Sequence, residues 1–144
     1  MYTVCTWQET EVAAIAALER ECFADPWTEE ALLAQCRRKG HYGLALKKGE
    51  SLVGFIYGTV LFEDAEIYKV AIKPEFRGQG LGQRLTEAAF AYFRQQNAER
   101  VFLEVRAGNL PAKGLYAKNG FTELRVRAKY YADGEDAVEM TKIL

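Results

Sequence analysis

The sequence has one histidine, His41, and three cysteines, Cys5, Cys22 and Cys36, with no CxxC spacing among them. A zinc site needs clustered thiolates and imidazoles, so no metal is expected, and an odd set of scattered cysteines reads as reduced thiols. No apolar run reaches the roughly 18 residues needed to span a bilayer. The opening MYTVCTWQETEV has neither a basic leader nor an unbroken apolar core, and so does not read as a signal peptide. Charge of one sign is not in excess either: 19 Lys and Arg stand against 20 Asp and Glu, for a net charge of −1. Capture of nucleic acid by bulk charge is thereby excluded. Repeats, low-complexity tracts and linkers are absent. The expectation is a cytoplasmic protein with no direct nucleic-acid or membrane partner, taken as a monomer.

What is present fits a single domain over residues 1–144, with 49% hydrophobic and 27% charged residues, an ordinary globular composition. Tyr2 to Trp7 alternates as an edge strand. A helix capped by Thr10 follows to Cys22, with Val12, Ile15, Ala16, Leu18 and Glu19 on a mixed apolar face. Thr28 caps a second helix, with acids at its start and Arg37 to Lys39 at its end, stopped by Gly40. Tyr42–Leu46 and Leu52–Phe62 read as a hairpin, and Glu66–Ile72 as the next strand. A helix over Leu81–Gln96, a strand over Val101–Val105 and a helix over Leu110–Lys118 come next. A last hairpin, Thr122–Tyr131 with Ala137–Ile143, turns at Asp133-Gly134. The pattern is α/β (α+β): one mixed sheet of about seven strands flanked by about four helices.

Between the fourth strand and the third helix lies FRGQGLGQRL, with glycines at 78, 80 and 82. Glycine packs nothing and costs backbone entropy, so three so close together point to something approaching the backbone. A P-loop is excluded, because Gln83-Arg84 stands where Lys and Ser or Thr are needed. A dinucleotide fingerprint lacks its third glycine, since position 83 is Gln83. What remains is Arg77-x-x-Gly80-x-Gly82 entering a helix, whose N–H groups can hold a pyrophosphate; a tight turn without ligand is the plainer alternative.

VAIKPEFRGQGLGQRL followed by LEVRAGNLPAKGLYAKNGF resembles the GNAT superfamily of N-acetyltransferases. DPWTEEAL, LEVRAGN and KYYADGEDAVEM are similar to its RimI-type branch, which acetylates the N-terminal amine of a small-subunit ribosomal protein. The resemblance covers nearly the whole chain and implies the GNAT fold, with acetyl-CoA as cosubstrate. The chain departs from the branch at Gly108, where a serine is usual, at Gly114 inside a helix, and in a short last hairpin loop.

By this resemblance the pyrophosphate is held by Arg77, Gly78, Gln79, Gly80, Leu81, Gly82 and Gln83. Pantetheine pairs with the backbone of Val70, Ala71 and Ile72 like an added strand, one N–H polarising the acetyl carbonyl. Asn109 bonds the pantetheine arm, although as a helix N-cap it needs no function. Glu104, the one acid in VFLEV, becomes the general base, directly or through water; by alternation alone it is an exposed strand residue. Tyr116 becomes the hydrogen-bond donor to the departing thiolate, where an aromatic is by default core. Trp27, Tyr130 and Tyr131 wall the acceptor groove. From charge alone, the acids of FEDAE, Glu63, Asp64 and Glu66, read either as a solvated turn or as attraction for a basic N-terminal peptide. The implied activity is acetyl transfer to a protein N-terminal α-amine, such as the N-terminal alanine of a ribosomal protein. The alternatives are an acetyltransferase for a small-molecule amine and a non-catalytic CoA-binding regulatory module.

Overall fold

The computed structural model describes residues Met1 to Leu144. Its elements run β1 (Tyr2–Thr6), α1 (Val12–Cys22), α2 (Glu29–Cys36), β2 (His41–Lys48), β3 (Ser51–Leu61), β4 (Asp64–Ile72), α3 (Leu81–Gln95), β5 (Arg100–Arg106), α4 (Leu110–Lys118), β6 (Thr122–Arg127) and β7 (Ala137–Ile143). One seven-stranded sheet carries them in the order β1-β2-β3-β4-β5-β7-β6. All neighbours are antiparallel except β4 and β5, joined in parallel through the crossover helix α3.

The sheet separates two cores. On one face α3 and α4 pack Leu81, Leu85, Phe90, Phe93 and Tyr116 against Ile56, Ile67, Leu103 and Val105. On the other, α1 and α2 pack Ile15, Leu18 and Leu32 with Trp7 against Phe55 and Tyr57. No helix is long and apolar enough to cross a membrane.

Local signals settle most boundaries. Thr28 caps α2, its hydroxyl accepting from the Ala31 amide at 3.1 Å. Asn109 caps α4 in the same way, accepting from Ala112 at 3.2 Å. Three sequence expectations need correction. Thr10 caps nothing: it sits in a short 3-10 turn over Glu9–Glu11, and α1 begins at Val12 with Glu11 as its N-cap. The second helix stops at Cys36, short of Gly40, which takes a left-handed φ of 81° leading into β2. β6 ends at Arg127, not Tyr131, because the chain turns away at Lys129 (φ 52°), whose amide donates to Asp136 Oδ1 at 2.9 Å.

Two irregularities in the middle of the sheet shape the site. Tyr57 pairs with Lys69 but the next residue, Gly58, pairs with Ile67, so Tyr68 is the extra residue of a β-bulge. Ala65 and Ile67 pack toward α3, and after the bulge Val70 and Ile72 do so instead. Second, β4 and β5 pair only from Asp64↔Arg100 to Ile67↔Leu103. Beyond that point they part, and the edge of β4 over Tyr68–Ile72 faces no strand.

Candidate active site

Two cavities flank the point where β4 and β5 part. One, about 390 Å³, is lined by Val70, Ala71, Ile72, Arg77, Gly82 and Asn109, together with Cys22, Phe23 and residues of α4. It combines the open edge of β4 with the start of α3, where amides lack partners and the macrodipole is positive. Gly78 and Gly80 have φ of 81° and 77°, and a Cβ on either would meet nothing within 4 Å. The loop is thus bent by glycine geometry around open space, which fits a pyrophosphate cradled by backbone N–H groups.

The predicted cofactor residues divide by what their side chains do. The Arg77 guanidinium donates to the Ile72 carbonyl at 2.9 Å and to Cys22 Sγ at 3.6 Å, staying at the mouth of the cleft. Burial pushes the Cys22 thiol up. Gln79 Oε1 accepts from the Tyr2 hydroxyl at 3.0 Å, Leu81 is buried in the core, and Gln83 exchanges 2.8 Å hydrogen bonds with Asn119. Leu81 can offer a ligand only its backbone and the Gln83 amide is already engaged, whereas Gln79 keeps its side-chain Nε2 free to donate. Asn109 lines the cleft, but its amide oxygen is engaged as the α4 cap.

The second cavity, about 640 Å³, lies on the α1–α2 face of the sheet. Its floor carries Glu66, Phe102, Glu104 and Glu139; Asp25 and Trp27 of the α1–α2 loop form one wall, Tyr130 and Tyr131 of the β6–β7 loop the other. Glu104 therefore faces a groove rather than bulk solvent, with its side chain 33% exposed. Its register partner across the antiparallel ladder is Glu139, and like charges directly opposite repel. Arg127 offsets this, its guanidinium lying 3.4 Å from Glu104 Oε2 and 3.2 Å from Glu139 Oε2. The Arg127–Glu104 approach lacks hydrogen-bond geometry, so the buried Oε2 of Glu104 has no donor. Glu139 Oε2 instead accepts from both Arg125 and Arg127.

Glu66, on the same floor, is held above the usual carboxylate range by burial first and by the Glu104 charge second. Glu63 and Asp64 are spent on Arg100, at 3.4 and 2.9 Å, so Glu66 is the acid of that turn left facing the groove unpaired. Burial pushes the Tyr131 phenol up to about 12, keeping it protonated and a hydrogen-bond donor. Trp27 leans edge-on against Tyr57 at 5.5 Å and lies 6.0 Å from Tyr68.

Tyr116 lies in the opposite layer, in the α3–α4 core, 5.5 Å from Phe121. It is 5% exposed, it lines neither cavity, and burial raises its phenol well above the ordinary value. The structure thus places Glu104 with Trp27, Tyr130 and Tyr131 in one groove, and Val70, Ala71, Ile72, Arg77, Gly82 and Asn109 in one cleft. Tyr116 is packed behind both.

Several site residues escaped the sequence reading. Glu19, read there as part of a mixed apolar face, is fully buried; it accepts from Lys69 Nζ at 2.7 Å, the Trp27 amide at 2.8 Å and the Tyr57 hydroxyl at 3.1 Å. This carboxylate fixes where the Trp27 wall stands. A lone acid among the apolar positions of a helix is the signal, but its partners lie up to 50 residues away. Arg127 and Glu139 were missed because cross-strand register is invisible in one sequence.

Comparison with known proteins gives the family. The profile of the acetyltransferase (GNAT) family matches residues 12–121. The chain is 30% identical over 143 residues to the ribosomal protein bS18-alanine N-acetyltransferase of Escherichia coli (strain K12), covering 97% of this chain and 96% of that one. A Bacillus subtilis (strain 168) protein given the same name provisionally is 37% identical over 133 residues, 90% of this chain and 87% of its own. The crystal structure of the Escherichia coli ribosomal-protein-S18-alanine N-acetyltransferase superposes with a TM-score of 0.93 at 29% identity, over 99% of this chain and 94% of that one. With its parted β4–β5 pair and glycine cradle, this chain belongs to the GNAT acetyltransferase family, which draws its acetyl group from acetyl-CoA.

Proposed function

We propose that this chain, acting as one domain, acetylates the N-terminal α-amine of a protein, and that the acceptor is a small-subunit ribosomal protein beginning with alanine. The observation that carries this reading is Glu104: a carboxylate with one buried oxygen lacking a donor, at the point where β4 and β5 part, facing an aromatic-walled groove. The two relatives above named for bS18 alanine, one of them provisionally, suggest the acceptor class.

Acetyl-CoA supplies the acetyl group as an activated thioester. The amides of Gly78 to Gly82 and the start of α3 hold its pyrophosphate, and the open edge of β4 over Val70–Ile72 takes the pantetheine arm. A backbone N–H of that edge polarises the carbonyl. Glu104 receives a proton from the α-ammonium, directly or through water. An α-amine with pKa near 7.7–8.0 is roughly a quarter to two-fifths neutral at pH 7.5, so one carboxylate base suffices. A lysine near 10.4 is neutral only about one part in a thousand, which favours the terminus. Tyr116 lines neither cavity, so a hydrogen bond from its phenol to the departing thiolate requires the bound pantetheine arm to reach past the cleft lining toward α4; a phenol near 10 is a weaker acid than a thiol near 8.5, so outright proton transfer is uphill. The enzyme works as a monomer in the cytoplasm.

The test offers acetyl-CoA and an alanine-initiated basic hexapeptide, free or N-terminally blocked with an internal lysine, and reads acetylation by mass spectrometry. Comparable rates on the two refute the reading.

A further inference from the structure

Two residues after Glu104 on the same face of β5 stands Arg106, with its side chain 22% exposed. One guanidinium nitrogen lies 3.3 Å from Asp25 Oδ2 in the α1–α2 loop. Another lies 2.8 Å from Asp133 Oδ2 and 2.9 Å from Glu135 Oε1 in the β6–β7 loop. The ring of Tyr131 lies 4.1 Å from the guanidinium carbon. Three acids from segments more than a hundred residues apart thus converge on one planar fork, and they belong to the two opposite walls of the groove.

Glu135 is anchored a second time, its Oε2 accepting from the Gly108 amide at 2.8 Å. Gly108 makes this possible: a Cβ there would stand 2.8 Å from the same oxygen. The carboxylate is therefore shared between the backbone just past β5 and the Arg106 fork.

We propose that Arg106 is a positioning residue for acceptor choice: it straps the Asp25 wall to the Asp133–Glu135 wall and so closes one end of the groove. A groove closed at its end takes a chain terminus and turns away a backbone that must run through. This rests on the N-terminal acetylation reading. Arginine suits the task because its rigid fork serves acids on two sides at once, whereas a lysine ammonium is a point charge. Asp25 and Asp133 are largely exposed, so each pair alone contributes little, and the strap works as a network that salt weakens.

The experiment compares the wild type with Arg106→Gln, Arg106→Lys and Asp25→Asn on two hexapeptides of equal net charge. One has a free N-terminus; the other is blocked and carries an internal lysine. Hydrogen exchange is followed at the Tyr131 and Gly134 amides, which are hydrogen-bonded within the β6–β7 loop. Arg106→Gln, which breaks all three contacts, is expected to speed exchange there by about tenfold, and Asp25→Asn, although on the other wall, by about twofold, on the scale of one exposed ion pair. Both raise KM for the free peptide more than they change kcat; Arg106→Gln narrows the preference over the lysine peptide by about tenfold, Asp25→Asn by about twofold, and Arg106→Lys recovers part of the loss. Folded variants with unchanged exchange and unchanged preference overturn the strap. A wild type that acetylates neither peptide overturns the functional reading instead, and the exchange data still decide the strap.

Discussion

Glu104 and Glu139 stand directly opposite each other on β5 and β7, yet one is fully hydrogen-bonded at Oε2 and the other is not. Glu139 Oε2 already accepts from Arg125 and Arg127, whereas Glu104 Oε2 has no donor and is open to a substrate ammonium, so Glu104 is the proposed base and Glu139 its counterpart. Glu104→Gln is expected to lower kcat by 10²–10⁴-fold, the usual range for general acid–base groups, with acetyl-CoA affinity unchanged. Glu139→Gln is expected to stay within about tenfold of wild type, since it removes no transferring group. Steady-state kinetics of the two variants decides; the opposite order would assign the base to Glu139.

The glycine cradle is tested at position 82 rather than 80. Gly80 needs its left-handed φ of 77°, so any side chain there costs roughly 1–2 kcal/mol of backbone strain and confuses folding with binding. Gly82 has no such constraint, and its Cβ would meet only Leu115 Cδ2 at 3.5 Å. Gly82→Val should keep a cooperative melting transition and lose measurable CoA binding by calorimetry. Retained affinity in a folded variant would remove the loop from the cofactor site.

Tyr116→Phe separates packing from chemistry. The ring stays in the α3–α4 core, so the variant should melt within a few degrees of wild type. If the phenol helps the thiolate leave, turnover falls at least tens-fold in a regime where chemistry limits. Wild-type turnover would make Tyr116 core alone.

Lys69→Met strands the Glu19 carboxylate in a fully buried position. Breaking such a pair from one side costs about 3–5 kcal/mol, which urea denaturation would register. Because Glu19 also holds the Trp27 amide, KM for the peptide should rise as well. A variant as stable as wild type would show that the carboxylate is satisfied without its lysine.

His41 gives stability a pH dependence. Its Nε2 accepts from Trp7 Nε1 at 2.9 Å, which needs a neutral ring, and burial holds its pKa below the ordinary value. The unfolded chain, with its histidine near 6.5, binds the proton first. Stability is therefore full above about pH 6.5 and falls as the pH drops from there toward the lower folded pKa. Melting temperatures from pH 7.5 to 5 should decline more steeply for the wild type than for His41→Gln. Equal slopes would assign acid sensitivity to other groups.

The sequence was legible where the cause is local. Thr28 and Asn109 announce helices from one side chain each, the glycines at 78, 80 and 82 announce a backbone left open to approach, and Glu104 stands out as the one acid in an apolar strand. Thr10 misled because a hydroxyl near a helix start need not be the cap, and the strand read through to Tyr131 because nothing in the chain marks the bend at Lys129. Glu19, Arg106 and Glu139 were illegible for a different reason. Their meaning is held by partners dozens of residues distant, and pairing register is a property of the folded sheet alone.

The extra residue Tyr68 gives β4 one place where its length can change without cost to its two faces. Ahead of it Glu66 points to the groove and Ile67 to the core under α3; behind it Lys69 points to Glu19 and Val70 back to that same core. Tyr68 is therefore the one unpaired step between two halves that already agree in facing. Losing it would restore plain alternation and leave Glu66, Ile67, Lys69 and Val70 each on its present side. A loss elsewhere in the strand would instead turn over the residues between it and the bulge or the strand end, sending a charge into the apolar layer. Drift in the length of β4 is thus channelled to a single position.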